Sequence, residues 1–363
     1  MRTHAERGPA LDGADVVLVT VTVGGQSGIE PDFTVPAAAG LRQTVADTLG
    51  IGGIMRCLRT APVLIAMARD IQTHCPGALL INLTNPMAML CMALHRAVPE
   101  VRTIGICHSI RATAARLAEL CDVPIGEVAY TAGGVNHQAW ITSFVHGGRD
   151  LYPLIREKAE TDAAFRDTVR ADMLRRFGLY PTESSRHNSE LVPWYLRDDE
   201  AVARLGIRVN PWRERRIDNA RWFMEAWARA DGLVPLDLEP SGEYGPLIVN
   251  ALAGGGACDV YANVPNTGSL VPDLPEWGIV EVPTTIAEGR VTSHAVSPLP
   301  PQCAALNRRY LDVCDLAVRA ALERRRDYVY HAAMLDANAA ATLSLDQIHA
   351  VVSELLDRHG LLL

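Results

Sequence analysis

Ala78-Leu79-Leu80-Ile81-Asn82-Leu83 runs directly into Thr84-Asn85-Pro86, and from Met87 to Ala97 the chain takes on helical texture. A short apolar run stopped by turn residues reads as a buried strand, and Asn-Pro is a strong stop. The pattern repeats on both sides. Residues 16–23 (Val-Val-Leu-Val-Thr-Val-Thr-Val) are rich in β-branched side chains, read as a buried strand and end at Gly24-Gly25. A helix is expected over residues 54–74, with Arg56, Arg59 and Arg69 interleaved among apolar positions. Residues 103–106 form another short strand, ending at Cys107-His108-Ser109, and residues 112–120 read as a helix. Strands alternating with helices imply a doubly wound, Rossmann-like parallel sheet covered on both faces. Ligands of such sheets bind beyond the carboxyl ends of the strands. Turn chemistry alone accounts for any one polar strand end. Three aligned ends, one of them carrying Cys-His, mark a site.

Beyond Tyr130 the texture changes. Gly133-Gly134-Val135-Asn136-His137 interrupts a run that resumes over residues 139–144. Residues 155–180 and 217–230 read as helical, and residues 181–196 as irregular and polar. Strands over residues 261–264 and 279–282 suggest a second, mixed α+β layer. The stretch from Gln302 to Leu356 is mostly helical, broken at residues 336–338 and capped at Ser344. The expected organisation is a partial dinucleotide-binding region over residues 1–130 and an α+β substrate and metal region over residues 131–363, packed as one body.

The 363 residues suffice for such a core, and 48% hydrophobic with 21% charged residues fits a globular chain. A net charge of −8 argues against nucleic acid or an anionic membrane as the main partner. The sequence offers neither the apolar core of a signal peptide nor an apolar run of spanning length. Eight cysteines without a CxxC pair give no disulfide framework, so a reducing cytoplasm is expected. A dinucleotide-binding sheet normally opens with a strand and a GxGxxG-type loop. Only fifteen residues precede Val16, and Gly50-Ile51-Gly52-Gly53 does not follow a strand. The first strand and its glycine loop are therefore expected to be missing, as in an N-terminally truncated chain.

Cys107 and His137 are the best metal-ligand candidates, since thiolate and imidazole bind divalent ions. On softness alone they suit Zn²⁺ better than Mn²⁺. Asn85 projects from a rigid turn. Asp47 either caps the following helix or reaches a sugar hydroxyl, and Arg59 is a solvated helix residue unless a ligand claims it. Between Pro181 and Tyr195 stand Glu183, His187, Glu190 and Trp194. They form either a polar loop with an aromatic anchor or a sugar-facing acid/base segment.

Several motifs occur in order: Gln43 to Arg56 with Leu58-Arg59-Thr60; Asn82 to Ala88; Gly105-Ile106-Cys107-His108-Ser109; Ala132 to His137; Thr182 to His187; Pro193-Trp194-Tyr195; Gly242-Glu243-Tyr244; and Val329-Tyr330-His331. Together they resemble glycoside hydrolase family 4, most closely its α-galactosidase (melibiase) branch, from about residue 12 to the C-terminus. The resemblance implies a second domain of lactate/malate dehydrogenase type, NAD and Mn²⁺ as cofactors, a small α-galactoside as substrate, and a homodimer or homotetramer. It implies Cys107 and His137 as Mn²⁺ ligands and His108 as proton donor. Glu183, ahead of Glu190, falls in the base region, with Asp47 also catalytic. Asn85, Asn136, Arg59 and Glu190 would bind substrate, and Val23, Gly24, Gly25 and Asn85 the cofactor. The tyrosine that serves phospho-glycosidase branches finds no clear match, and relatives usually have tyrosine in place of Leu191. The implied chemistry is oxidation at C3, metal-aided C2 deprotonation, elimination at C1, water addition and reduction, a known exception to two-carboxylate hydrolysis. Alternatives are an α-glucosidase or α-galacturonidase of the same family, a malate/lactate-type dehydrogenase, and an inactive truncated paralogue.

Overall fold

The protein is described by a computed structural model covering residues 2–235 and 243–361; Gly242 of the Gly-Glu-Tyr motif lies outside the described residues. Ten strands make one sheet: β1 (Val16–Val19), β2 (Leu79–Asn82), β3 (Thr103–Ile106), β4 (Val128–Val135), β5 (Gln138–His146), β6 (Arg149–Asp150), β7 (Tyr180–Pro181), β8 (Cys258–Pro265), β9 (Ile279–Ala287) and β10 (Arg290–Ser293). Its order is β1-β2-β3-β8-β9-β4-β5-β6, with β10 on β9 and β7 on β5. The fold is α/β and Rossmann-like. β1, β2 and β3 are parallel, with Val19 opposite Asn82 and Asn82 opposite Gly105, so their carboxyl ends open on one side.

The expected second layer is a continuation of this sheet. β8 pairs antiparallel with β3, Gly105 facing Asn263. Gly105 permits that seam: a Cβ there would stand 2.5 Å from Met87 Sδ, 2.6 Å from Cys91 Sγ and 2.9 Å from Asn263 Cβ. Residue 130, where one region was expected to pass into the next, falls within β4.

β1 departs from the buried strand expected over residues 16–23. It stops at Val19 and forms one edge of the described sheet, with Leu18 49% exposed. The helix Gly25–Ala38 that follows was hidden in the sequence by Pro31 and Pro36 in its interior. The expected helix over residues 155–180 is three helices, Tyr152–Thr161, Ala163–Arg166 and Val169–Phe177. Asp162 and Thr168 cap the second and third starts with their side chains. Within the stretch expected to be irregular, Ser184 Oγ caps the short helix Ser185–Glu190.

Two apolar cores flank the sheet. One joins the helices Gly50–His74, Met87–Ala97 and Pro301–Glu323; the other joins Ser109–Leu120, Tyr152–Thr161 and Val169–Phe177. Strand alternation divides β5 between them: Trp140 faces the first, Ala139 and Ile141 the second. The helix Gly50–His74, at mean hydropathy 1.4, has the length and apolarity to cross a membrane, contrary to the sequence expectation. Its apolar face is instead buried in the first core, where Ile51, Ile54 and Leu64 are inaccessible. Each such side chain contributes about 1.5–3 kcal/mol.

Candidate functional site

Cys107 leaves the end of β3, and His137 occupies the tight turn between β4 and β5. The fold brings Cys107 Sγ to 3.4 Å from His137 Nε2. Donor atoms of Cys107, His137 and Glu183 all lie within 4.8 Å of one another. Hydrogen-bond bookkeeping fixes the His137 tautomer. Thr48 Oγ1 donates its only proton to Asp47 Oδ1 at 2.8 Å, so at 3.0 Å it accepts from His137 Nδ1. In the neutral ring this leaves Nε2 bare, with its lone pair towards Cys107, as a metal-binding imidazole requires. Burial pushes the Cys107 thiol up, against hydrogen bonds from Ser109 and Asn136.

Glu183 takes a hydrogen bond from His187 Nδ1 at 3.0 Å. Burial alone would raise its carboxyl, but that bond and the imidazoles of His137, His187 and His108 hold it well below the ordinary carboxylate range. The His137 and His187 rings meet edge-on at 4.5 Å. Asp47 is also buried, and burial pushes it up, yet Arg56, His187, Arg215 and His137 hold it down on balance. Arg56 stands 3.8 Å away, and Arg215 and His187 3.9 Å. Its carboxylate therefore supports His137 through Thr48.

Three residues expected to bind substrate have partners within the protein. Arg59 is locked by Asp32 (2.6 and 3.1 Å) and His359 (3.1 Å), with His359 itself 2.8 Å from Asp32. This nearly inaccessible group ties three helices together, and the carboxylate of Asp32 compensates the buried charge of Arg59. Glu190 accepts from the backbone N–H groups of Thr44 (3.0 Å), Val45 (2.6 Å) and Ala46 (3.1 Å) and from the Thr44 hydroxyl (2.8 Å). It holds the loop that carries Asp47 and Thr48, in which Ala46 adopts φ +55°. Gly52 lets the next helix start against this loop, because a Cβ there would be 2.8 Å from Ala46 O. Asn136 is fully buried and donates to Glu281 at 3.2–3.3 Å.

The remaining expected residues border the strand ends. Asn85 Oδ1 is buried and finds no hydrogen-bond donor among the described residues, an anomaly that a ligand hydroxyl or amide would remove. Gly24 and Gly25, at φ +83° and +51°, open the helix Gly25–Ala38 just after Val23, and its N-terminal amides favour an anion. His108 is half exposed at the start of the helix Ser109–Leu120, with Nδ1 3.4 Å from Glu243 Oε1.

Two models of known families match: "Family 4 glycosyl hydrolase" over residues 1–123 and "Family 4 glycosyl hydrolase C-terminal domain" over residues 132–339. The chain belongs to glycoside hydrolase family 4. This family 4 chain is 36% identical to an alpha-galactosidase of Bacillus subtilis (strain 168), over 99% of its own length and 84% of that protein's. The crystal structure of LplD from Bacillus subtilis superposes with a TM-score of 0.89 at 28% identity, covering 96% of this chain and 85% of LplD. A 6-phospho-alpha-glucosidase from gut microorganisms, crystallised with NAD and Mn²⁺, shares the fold at TM-score 0.82 and 19% identity, covering 99% of this chain and 84% of that one.

Sequence reasoning missed Thr48 and Glu281 in this family 4 site, and it named His187 only as part of a candidate acid/base segment, not as the partner of Glu183. Thr48 and His187 lie inside quoted motifs, but nothing local distinguishes a support from a neighbour. Glu281 had a signal, a lone acid within the apolar run Ile279-Val280-Glu281-Val282. It is fully buried, and burial, then the nearby Cys107, pushes it up to about 8 despite the amides of Asn136 and Asn263.

Two predictions arise here. Thr48→Val removes the acceptor that sets the His137 tautomer. Metal affinity should fall about 10–100-fold, as for other outer-shell partners, and Thr48→Ser should restore it; titration calorimetry checks both. For Glu281 the folded state keeps a proton that the unfolded state loses near pH 4–5. Stability therefore falls as pH rises from there through about 8. Glu281→Gln should flatten that slope in metal-free protein, measured by urea unfolding at pH 5.5 and 8.5. An unchanged slope would show that Glu281 is ionised throughout.

Proposed function

We propose that the chain hydrolyses unphosphorylated α-galactosides by an oxidation-assisted elimination, with NAD and Mn²⁺ bound. The observation that carries this reading is the convergence of Cys107 Sγ on a bare His137 Nε2 beside the carboxyl ends of parallel strands. The Cys107-His108-Ser109 form and the similarity to the B. subtilis alpha-galactosidase favour galactose without phosphate.

The residues fit both cofactors. Cys107 and His137 would hold the ion, and the Val23-Gly24-Gly25 turn with Asn85 would hold the dinucleotide. When bound, NAD offers a reversible hydride acceptor for the sugar C3 and the ion a Lewis acid for neighbouring oxygens. Asn85, through its unpartnered Oδ1, accepts a hydroxyl and sets the face of the sugar presented. His108, accessible and oriented by Glu243, donates a proton to the departing glycosidic oxygen. His108→Asn should then slow natural galactosides far more than p-nitrophenyl α-galactoside, whose leaving group needs little protonation; an equal loss on both would remove His108 from this role.

The reading includes a dinucleotide-binding region over residues 1–130, a sugar region beyond it, and a reducing compartment, in keeping with eight unpaired cysteines. It also includes self-association. Trp222, Phe223 and Trp227 on the helix Trp212–Ala230 are each more than half exposed, apolar surface of the kind that a second copy covers.

The test is hydrolysis of p-nitrophenyl α-galactoside in D₂O with NAD⁺ and Mn²⁺. Elimination and readdition should place deuterium at C2 of the released galactose, and EDTA should stop the reaction. Turnover without NAD⁺, or without deuterium at C2, would overturn the mechanism. Faster cleavage of the α-galacturonide or α-glucoside would reassign the sugar.

A further inference from the structure

We infer that Glu183 is a third protein ligand of the divalent ion, making the centre a thiolate–imidazole–carboxylate site. The inference rests on the reading that Cys107 and His137 hold an ion, and it changes what Glu183 does. The family resemblance placed Glu183 in the base region. The fold places its carboxylate with the other two donors, no pair more than 4.8 Å apart. Two donors on one ion, with bonds of about 2.0–2.3 Å, stand roughly 3–4.5 Å apart. Closing the three onto one ion therefore takes only small movements.

The backbone supplies an independent indication. Glu183 has φ +66° and His137 φ +43°, the left-handed region that side chains with a Cβ rarely adopt. Such conformations persist only where the surroundings impose them, and they cluster at functional sites. Here both belong to residues that turn a donor inward, one from the β4–β5 hairpin and one from the residue before the Ser184 cap. The supports are parallel too. Thr48 holds His137 Nδ1, and His187 Nδ1 holds Glu183 Oε1, leaving the second carboxylate oxygen for the ion.

The carboxylate also resolves a mismatch of chemistry. Thiolate and imidazole alone favour Zn²⁺, whereas adding a hard oxygen moves the site towards Mn²⁺. One thiolate and one carboxylate balance a divalent charge. A carboxylate bonded to the ion is a poor proton acceptor, so the C2 proton must pass to another group.

The test uses the full chain stripped with EDTA. Mn²⁺ binding is followed by the EPR signal of the free ion, and Co²⁺ binding by its thiolate charge-transfer and d–d absorption. Glu183→Gln, which keeps the shape, and Glu183→Ala should each weaken Mn²⁺ binding at least about tenfold, lower the Mn²⁺/Zn²⁺ preference, and alter the Co²⁺ d–d bands while the thiolate band persists. Glu183→Asp should recover part of the affinity. Wild-type Mn²⁺ affinity and Co²⁺ spectrum in Glu183→Gln, with binding lost in Cys107→Ser, would overturn the third ligand and leave the two-ligand reading standing. Binding unchanged in Cys107→Ser as well would remove both.

Discussion

Cys107→Ser is expected to lower kcat/KM for α-galactosides by roughly three orders of magnitude, because a lost Lewis acid forfeits several kcal/mol of transition-state stabilisation. The serine hydroxyl fits the space but does not ionise to an anionic ligand near neutral pH. Cys107 is only partly buried, and its Sγ lies among polar groups of His137, Ser109 and Asn136 that a hydroxyl can also serve, so the fold should survive. The checks are steady-state kinetics with saturating Mn²⁺, Mn²⁺ titration, and a melting curve of the metal-free protein. The expected combination is lost binding, lost turnover and an almost unchanged metal-free Tm. A variant that turns over near the wild-type rate would show that the thiolate serves no ion.

Glu190→Ala should produce the opposite pattern, a large loss of stability before any question of catalysis. Its carboxylate is 4% exposed and satisfies three backbone N–H groups and a hydroxyl. Leaving buried donors unpaired costs about 1–3 kcal/mol each, less than additively, so a loss on the order of 4 kcal/mol is expected. At about 2–4 °C per kcal/mol for a chain of this size, Tm should drop by roughly 10 °C. Thermal unfolding measures it. A drop under about 2 °C would mean that residues 44–46 find other partners.

These two residues show what the sequence made legible. Cys107 follows a strand whose apolar run and polar stop are local signals, so its position at a strand end was readable. Glu190 stood in an equally suggestive motif, yet its partners lie 144–146 positions earlier in the chain, and no local pattern reports such a pairing. Arg59 is similar, since Asp32 and His359 claim it from 27 and 300 positions away. The parallel strands were found because periodicity is local. The single sheet was missed because the β3–β8 seam depends on Gly105, whose absent side chain matters only once Met87, Cys91 and Asn263 surround it. Polar side chains in motifs were identified as a group; which face the ligand and which face the scaffold is decided by tertiary contacts.

The short helix Ser185–Glu190 has a consequence for how this enzyme can change. Its first residues and the turn before it carry Glu183 and His187, while its last residue braces the segment bearing Thr48. On the assignment proposed for Glu183, recognition of a new sugar through this turn would also disturb ion retention. Lineages that drift in substrate preference here should drift in metal appetite at the same time.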